Sequence, residues 1–239
     1  MNRLQYLKSL PSYVAGSVKQ TIAALDPPRA FQRNGETPLV LIPGAFCTSS
    51  VMNQLGLELE QQGFNVVLSP NFPFFMSALA NLCRLDEAVD MFVDWLDDLG
   101  KKHGIEEIDV AAHSNGGLIT LLAQERIESQ RNLSRVMVRN MVTMATPFGG
   151  LPLAKWLGLV VPCCVDIVYG SEPLQRALRA GHVVKRCLVA SGDSLVPPDN
   201  QFIDPSRKTV MHGFQHMDFI VGGEEKVTRT ARELARWLN

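Results

Sequence analysis

IDVAAHSNGG, residues 108–117, joins an apolar run to a glycine-containing turn and decides how the rest of the chain is read. Ile108 to Ala112 carries the apolar character of a strand covered on both faces. From Asn115 to about Glu128 the spacing predicts a helix. Ser114 falls at the junction. A side chain presented on a sharp strand-to-helix turn needs small residues two positions to either side, because the turn brings them together. Ala112 and Gly116 meet that need. By composition alone a small-x-Ser-x-Gly pattern arises in about one chain of this length in five. Its weight therefore comes from the strand before it and the helix after it.

Outward from this junction the chain alternates strand and helix. PLVLI (38–42), FNVVLS (64–69), RNMVTMA (139–145) and VVKRCLVA (183–190) read as further strands, and KTVMH (208–212) as a short sixth. Residues 50–62 read as a helix ending near Gly63. Residues 84–99 set Leu85, Val89, Phe92, Leu96 and Leu99 on one stripe, with Gly100 or Gly104 as the stop. The last helix, 224–238, buries Val227, Ala231, Leu234 and Leu238. Alternation of this kind predicts an α/β fold with a mostly parallel central sheet and helices on both faces.

Two segments stand outside the rhythm. Val14, Val18, Ile22 and Leu25 define a helix over 12–25 that stops at Asp26-Pro27-Pro28. It reads either as a helix packed on the main domain or as a helix that contacts a membrane surface or a partner. Residues 1–30 are accordingly assigned to an N-terminal extension and 31–239 to the main domain. Residues 149–180 are too long and too apolar for a turn. They read as an added core helix or as a lid-like insertion, and both readings stand.

With 23 basic and 24 acidic side chains the net charge is −1, and no basic run points to nucleic acid. Five cysteines without CxxC or Cys/His spacing argue against both a disulfide framework and a metal site. Buried thiols in a reducing compartment fit them, and the expected location is cytoplasmic. No apolar stretch reaches the roughly 18 residues of a membrane span, and nothing in the sequence defines an oligomer.

A serine hydroxyl is a poor nucleophile at neutral pH and needs a base, which in turn needs an orienting acid. His216, in the Phe214–Ile220 stretch between the last strand and the last helix, is the candidate base; His212 is the rival, at a strand end. Asp193 follows the VVKRCLVA strand, on the sheet edge where ligands gather, although Gly192-Asp193-Ser194 is also ordinary turn chemistry. His113 is expected to pack beneath Ser114. The N–H groups of Asn115 and of Ala45 or Phe46, in the loop after PLVLI, are candidates for holding an oxyanion.

With these residues in hand, the chain resembles the lipase and esterase branch of the α/β-hydrolases over about residues 37–238. AHSNGG is similar to that family's nucleophile elbow, with Ala112 for the usual first glycine. GDSLVPP (192–198) resembles its acid loop, HMDF (216–219) the segment around its catalytic histidine, and TPFGG (146–150) a Thr-Pro-His-x-Gly loop in which Phe148 replaces the histidine. Pro43-Gly44 stands where many relatives have His-Gly. The resemblance implies an α/β-hydrolase fold and ester hydrolysis by Ser114, Asp193 and His216, with Ala45 and Asn115 as oxyanion donors. It implies a small-molecule acyl ester or lipid substrate and no cofactor. No calcium-site pattern of the bacterial lipases is present, so no metal is expected. Phe46, Phe148 and Leu151 are the expected substrate contacts. An apolar wall over 151–168, with Phe72, Phe74, Phe75 and Met76, fits a medium or long acyl chain. An acyltransferase or thioesterase on the same three residues, or a scaffold without activity, are the alternatives.

Overall fold

The computed structural model describes residues 37–71, 83–130, 132–151, 154 and 162–239. The expected N-terminal extension and its helix, the group Phe72, Phe74, Phe75 and Met76, and part of the 149–180 segment lie outside the described residues.

Strands β1 (Leu39–Ile42), β2 (Val66–Leu68), β3 (Glu107–His113), β4 (Met137–Met144), β5 (Val184–Ala190) and β6 (Lys208–Met211) form one sheet in the order β2-β1-β3-β4-β5-β6. Every pairing among the described residues is parallel. Among the described residues the α-helices are α1 (Asn53–Glu60), α2 (Leu85–His103), α3 (Asn115–Ser129), α4 (Pro162–Asp166), α5 (Glu172–Arg179), α6 (Asp218–Val221) and α7 (Glu224–Leu238).

The period-2 alternation of side chains divides the core between the two faces of the sheet. Val40 and Ile42 of β1 pack with Val89, Phe92 and Leu96 of α2, Leu118 and Leu122 of α3, and Leu174 of α5. Leu39 and Leu41, pointing the other way, pack with Leu55 and Leu59 of α1 and with Val227, Ala231 and Leu234 of α7. A strand buried on both sides must be apolar at every position, which is why PLVLI shows no polar alternation.

The stop of α2 is Gly104, not Gly100. Gly104 adopts φ 64°, the left-handed conformation that closes a helix. Gly100 lies inside the helix, at a point where a Cβ would stand 2.8 Å from the side chain of Val136, so close packing accounts for the glycine. Asp86 and Glu87 in the first turn and Lys101 and Lys102 in the last complement the helix dipole.

The described part of the 149–180 segment consists of α4, α5 and the turns around them. Cys163, Cys164, Ile167 and Leu174 are buried in the α2–α3 core. The segment is fastened to itself and to its neighbours. The Leu151 N–H donates to the Ile167 carbonyl at 2.9 Å, and buried Asp166 accepts from the Arg84 guanidinium and from the Leu85 N–H. All five cysteines are buried free thiols.

The strand order reverses between β1, which leads outward to β2, and β3, which starts the run in the opposite direction. Open parallel sheets bind ligands at such a switch point, beyond the carboxyl ends of the strands. The loops after β1 and β3 flank this crevice.

Candidate active site

Among the described residues, three other than glycine have positive φ, and they stand beyond the carboxyl ends of β1, β3 and β4: Phe46 at 61°, Ser114 at 54° and Ala145 at 51°. Such conformations cost on the order of 1–3 kcal/mol each and persist only where the surroundings enforce them. Their clustering marks this end of the sheet. At Ser114 the strain lifts the side chain out of the strand and sets it at the N-terminus of α3. The Ser114 N–H still donates to the Met144 carbonyl at 2.8 Å, so β4 anchors the turn.

The turn works because its neighbours are small. A Cβ on Gly116 would lie 2.5 Å from the Pro43 carbonyl oxygen, and one on Gly44 would lie 2.6 Å from the Ser114 Cβ. The loop after β1 therefore runs directly against the serine. Ala45 and Phe46 follow Gly44 in that loop, and Asn115 is the first residue of α3, at the helix's positive end.

Ser114, His216 and Asp193, 102 and 23 residues apart in sequence, meet in one hydrogen-bonded chain. The Ser114 Oγ–H donates to His216 Nε2 at 3.0 Å, and the His216 Nδ1–H donates to Asp193 Oδ2 at 2.7 Å. All three are buried. Asp193 Oδ1 accepts from the Leu195 and Val196 N–H groups at 2.9 and 3.0 Å, and Oδ2 accepts a second bond from Gln201 Nε2 at 3.0 Å. The Gly-Asp-Ser letters thus do form a turn, and the turn itself orients the carboxylate. His212 lies beyond the end of β6 with its side chain exposed, apart from this chain of bonds.

His113 packs under the site, as its position in the turn predicts. Its Nε2–H donates to the His216 backbone carbonyl at 2.8 Å, and the two rings lie 4.9 Å apart. Burial, with the neighbouring His216 as a smaller cause, pulls the His113 ring down to about 3, so it is neutral across the physiological range. A neutral ring leaves Asp193 as the carboxylate partner of His216 without a competing cation.

Of the expected substrate contacts, Phe46 and Leu151 are half-buried at the edge of the α2–α3 core. Phe148 is only 3% exposed and packs inside that core. Its loop is pinned to the acid loop: the Gly149 N–H donates to the Asn200 carbonyl at 3.0 Å, and Asn200 Nδ2 donates to the Gly150 carbonyl at 2.9 Å. Asn200 and Gln201 carry no signal in the sequence, where PPDNQF reads as loop. Only their burial and bonding single them out. Among the described residues, no group of three or more His, Cys, Asp or Glu side chains is arranged to hold a metal ion.

A parallel sheet with this strand order, a strained serine after the third strand, and an aspartate and a histidine after later strands define the α/β-hydrolase fold. Solved structures with the same fold agree. Lipase B of Aspergillus fumigatus superposes with a TM-score of 0.58 at 18% identity, over 80% of this chain and 50% of that one, so the chain spans half the length of the fungal enzyme. A monoacylglycerol lipase of Paleococcus ferrophilus gives 0.57 at 20% identity, over 84% of this chain and 93% of that one. The naproxen esterase (carboxylesterase NP) of Bacillus subtilis gives 0.59 at 13% identity, over 94% and 98%. No sequence-family model matches the chain, and no curated protein matches it in sequence.

Proposed function

We propose that this protein is a carboxylic ester hydrolase that works through an acyl-enzyme on Ser114. The observation that carries the proposal is the unbroken Ser114–His216–Asp193 chain, buried at the switch point of the sheet. The lipases and esterases among the structural neighbours support it.

The Ser114 Oγ attacks the ester carbonyl carbon while its proton passes to His216 Nε2. Asp193 holds the Nδ1–H and stabilises the imidazolium that forms. The carbonyl oxygen, now negative, accepts from the N–H groups of Ala45 and Asn115, each such donor worth about 2.7–4 kcal/mol in comparable sites. Collapse of the tetrahedral species breaks the ester C–O bond, and the alcohol leaves with the proton from His216. Water then attacks the acyl-serine, gives a proton to His216, and releases the acid while Ser114 recovers its hydrogen. Phe46 and Leu151 offer the acyl chain an apolar surface.

The test is hydrolysis of p-nitrophenyl esters from acetate to palmitate by the wild type and by Ser114→Ala, with fluorophosphonate labelling mapped to a peptide. The wild type is expected to label at Ser114 and to favour chains longer than acetate. The variant is expected to lose turnover by about 10⁴-fold or more while keeping its fold. Undiminished turnover in Ser114→Ala overturns the mechanism; a sharp preference for acetate overturns the apolar acyl surface.

A further inference from the structure

We infer that Gln201 is a positioning residue for the site, holding Asp193 so that one chosen carboxylate oxygen faces His216; the inference rests on the hydrolase reading above. Gln201 is fully buried in the loop after β5. Its amide uses every polar atom. One Nε2 proton goes to Asp193 Oδ2 at 3.0 Å and the other to the Val196 carbonyl at 2.6 Å, while Oε1 accepts from the Ala190 N–H at 2.8 Å. It thus ties the last residue of β5 to both the acid and the backbone of the acid loop. A buried amide is costly to leave unsatisfied, so a fully bonded one has a defined position.

The consequence falls on the rotation of a carboxylate. The Leu195 and Val196 N–H groups hold Oδ1, but they alone let the carboxylate plane tilt about that oxygen. Gln201 supplies the second bond on Oδ2, the oxygen that accepts the His216 Nδ1–H, and so fixes the plane on which the imidazole is aligned. An amide is suited to this task because it is neutral. A lysine or arginine at the same point would share the carboxylate charge that stabilises the imidazolium. Among the described residues no lysine or arginine bonds Asp193; the titratable groups facing it are His216 and, behind that ring, His113. Asn200, the preceding residue, ties the same loop to Gly149 and Gly150, so the loop is held from both sides.

Gln201→Glu tests this with little change of shape. When its new carboxyl is protonated it still donates to Asp193; when ionised it sets a second negative charge against the same oxygen. Two carboxylates that close do not both ionise freely, and the added charge favours the imidazolium over the neutral base. The acid limb of kcat/KM against pH is therefore expected to move upward by about one pH unit. Gln201→Leu, which has no donor, is expected to lower kcat by about tenfold with KM within about twofold. The low-field NMR proton of the His216 Nδ1–H, read without substrate, is expected to shift or broaden in both variants. A residue that only supported the fold would change thermal stability and leave the acid limb and this proton unmoved. That result overturns the inference. The proton requires no turnover, which separates the two readings: no ester hydrolysis by the wild type with a displaced resonance sinks the hydrolase reading, whereas hydrolysis with an unmoved limb and resonance sinks the role of Gln201 alone.

Discussion

Three aspartates are buried to about the same degree, and the protein treats them in two different ways. Asp109 on β3 is 4% exposed, Asp166 on α4 is 2% and Asp193 after β5 is 5%. Asp109 faces the guanidinium of Arg139, and Asp166 faces that of Arg84, each through two guanidinium nitrogens. Both arginines lie half in solvent, with side chains 42% and 50% exposed, so they cap the buried charge from outside. Among the described residues no arginine bonds Asp193. It accepts from two backbone N–H groups, an amide and an imidazole. A charge neutralised by guanidinium is structurally settled; a charge held only by neutral donors keeps its field for a neighbour that becomes positive. That neighbour is His216.

The strongest way to break this comparison is to neutralise each carboxylate by an isosteric amide. Asp193→Asn is expected to reduce kcat by about 10⁴-fold with the fold retained, because the amide offers His216 the wrong partner and removes the charge opposite the imidazolium. Asp166→Asn provides the contrast, since its carboxylate has no part in the proton path. Steady-state kinetics on the two variants, beside their thermal unfolding, measures this. Equal kinetic losses in the two would mean that the neutral environment of Asp193 has no catalytic meaning.

How much of this contrast was legible in the sequence follows from how local each signal is. Ser114 and its turn could be read because the strand, the small flanking residues and the helix all lie within a few positions of it. His216 could be separated from His212 by its place between strand and helix, and the exposed position of His212 agrees. Asp193 was ambiguous because turn and acid use the same letters, and in the structure it is both. Gln201 was invisible: its partners, Ala190, Asp193 and Val196, converge only once β5 and the following loop are folded. The partners of Asp109 and Asp166, 30 and 82 residues away, were equally out of reach of pattern. The strand expected over 139–145 runs from Met137 to Met144, starting two residues earlier and ending one earlier.

The two imidazoles repeat the contrast on a smaller scale and give it a pH signature. His216 has a carboxylate on one nitrogen and a hydroxyl on the other, whereas His113 donates to a carbonyl and, among the described residues, bonds no carboxylate. Burial lowers His113 from 6.5 to about 3. The unfolded chain therefore takes up this proton at a higher pH than the folded one. Its contribution to stability is present in full above about 6.5 and is lost as pH falls toward about 3, at up to about 1.4 kcal/mol per pH unit. Urea denaturation of the wild type and of His113→Leu over that interval is expected to give a shallower acid decline for the variant. Parallel curves would show that His113 accepts its proton in the folded state as readily as in the unfolded one.

The smallest effect is expected where the comparison predicts stability without chemistry. Arg84→Met keeps most of the apolar stem and removes the guanidinium from Asp166, leaving that carboxylate the Leu85 N–H at 2.8 Å. Breaking a fully buried pair costs about 3–5 kcal/mol. Half of the Arg84 side chain is already in water, and water can reach the vacated edge, so a loss of about 1–3 kcal/mol is the expectation. Urea denaturation measures it, with kcat and KM on the folded variant as the control, since neither Arg84 nor Asp166 bonds any of Ser114, His216 and Asp193. A stable variant with depressed kcat would reverse the assignment, tying the α4 clamp to the reaction and placing Asp166 with Asp193 instead of with Asp109.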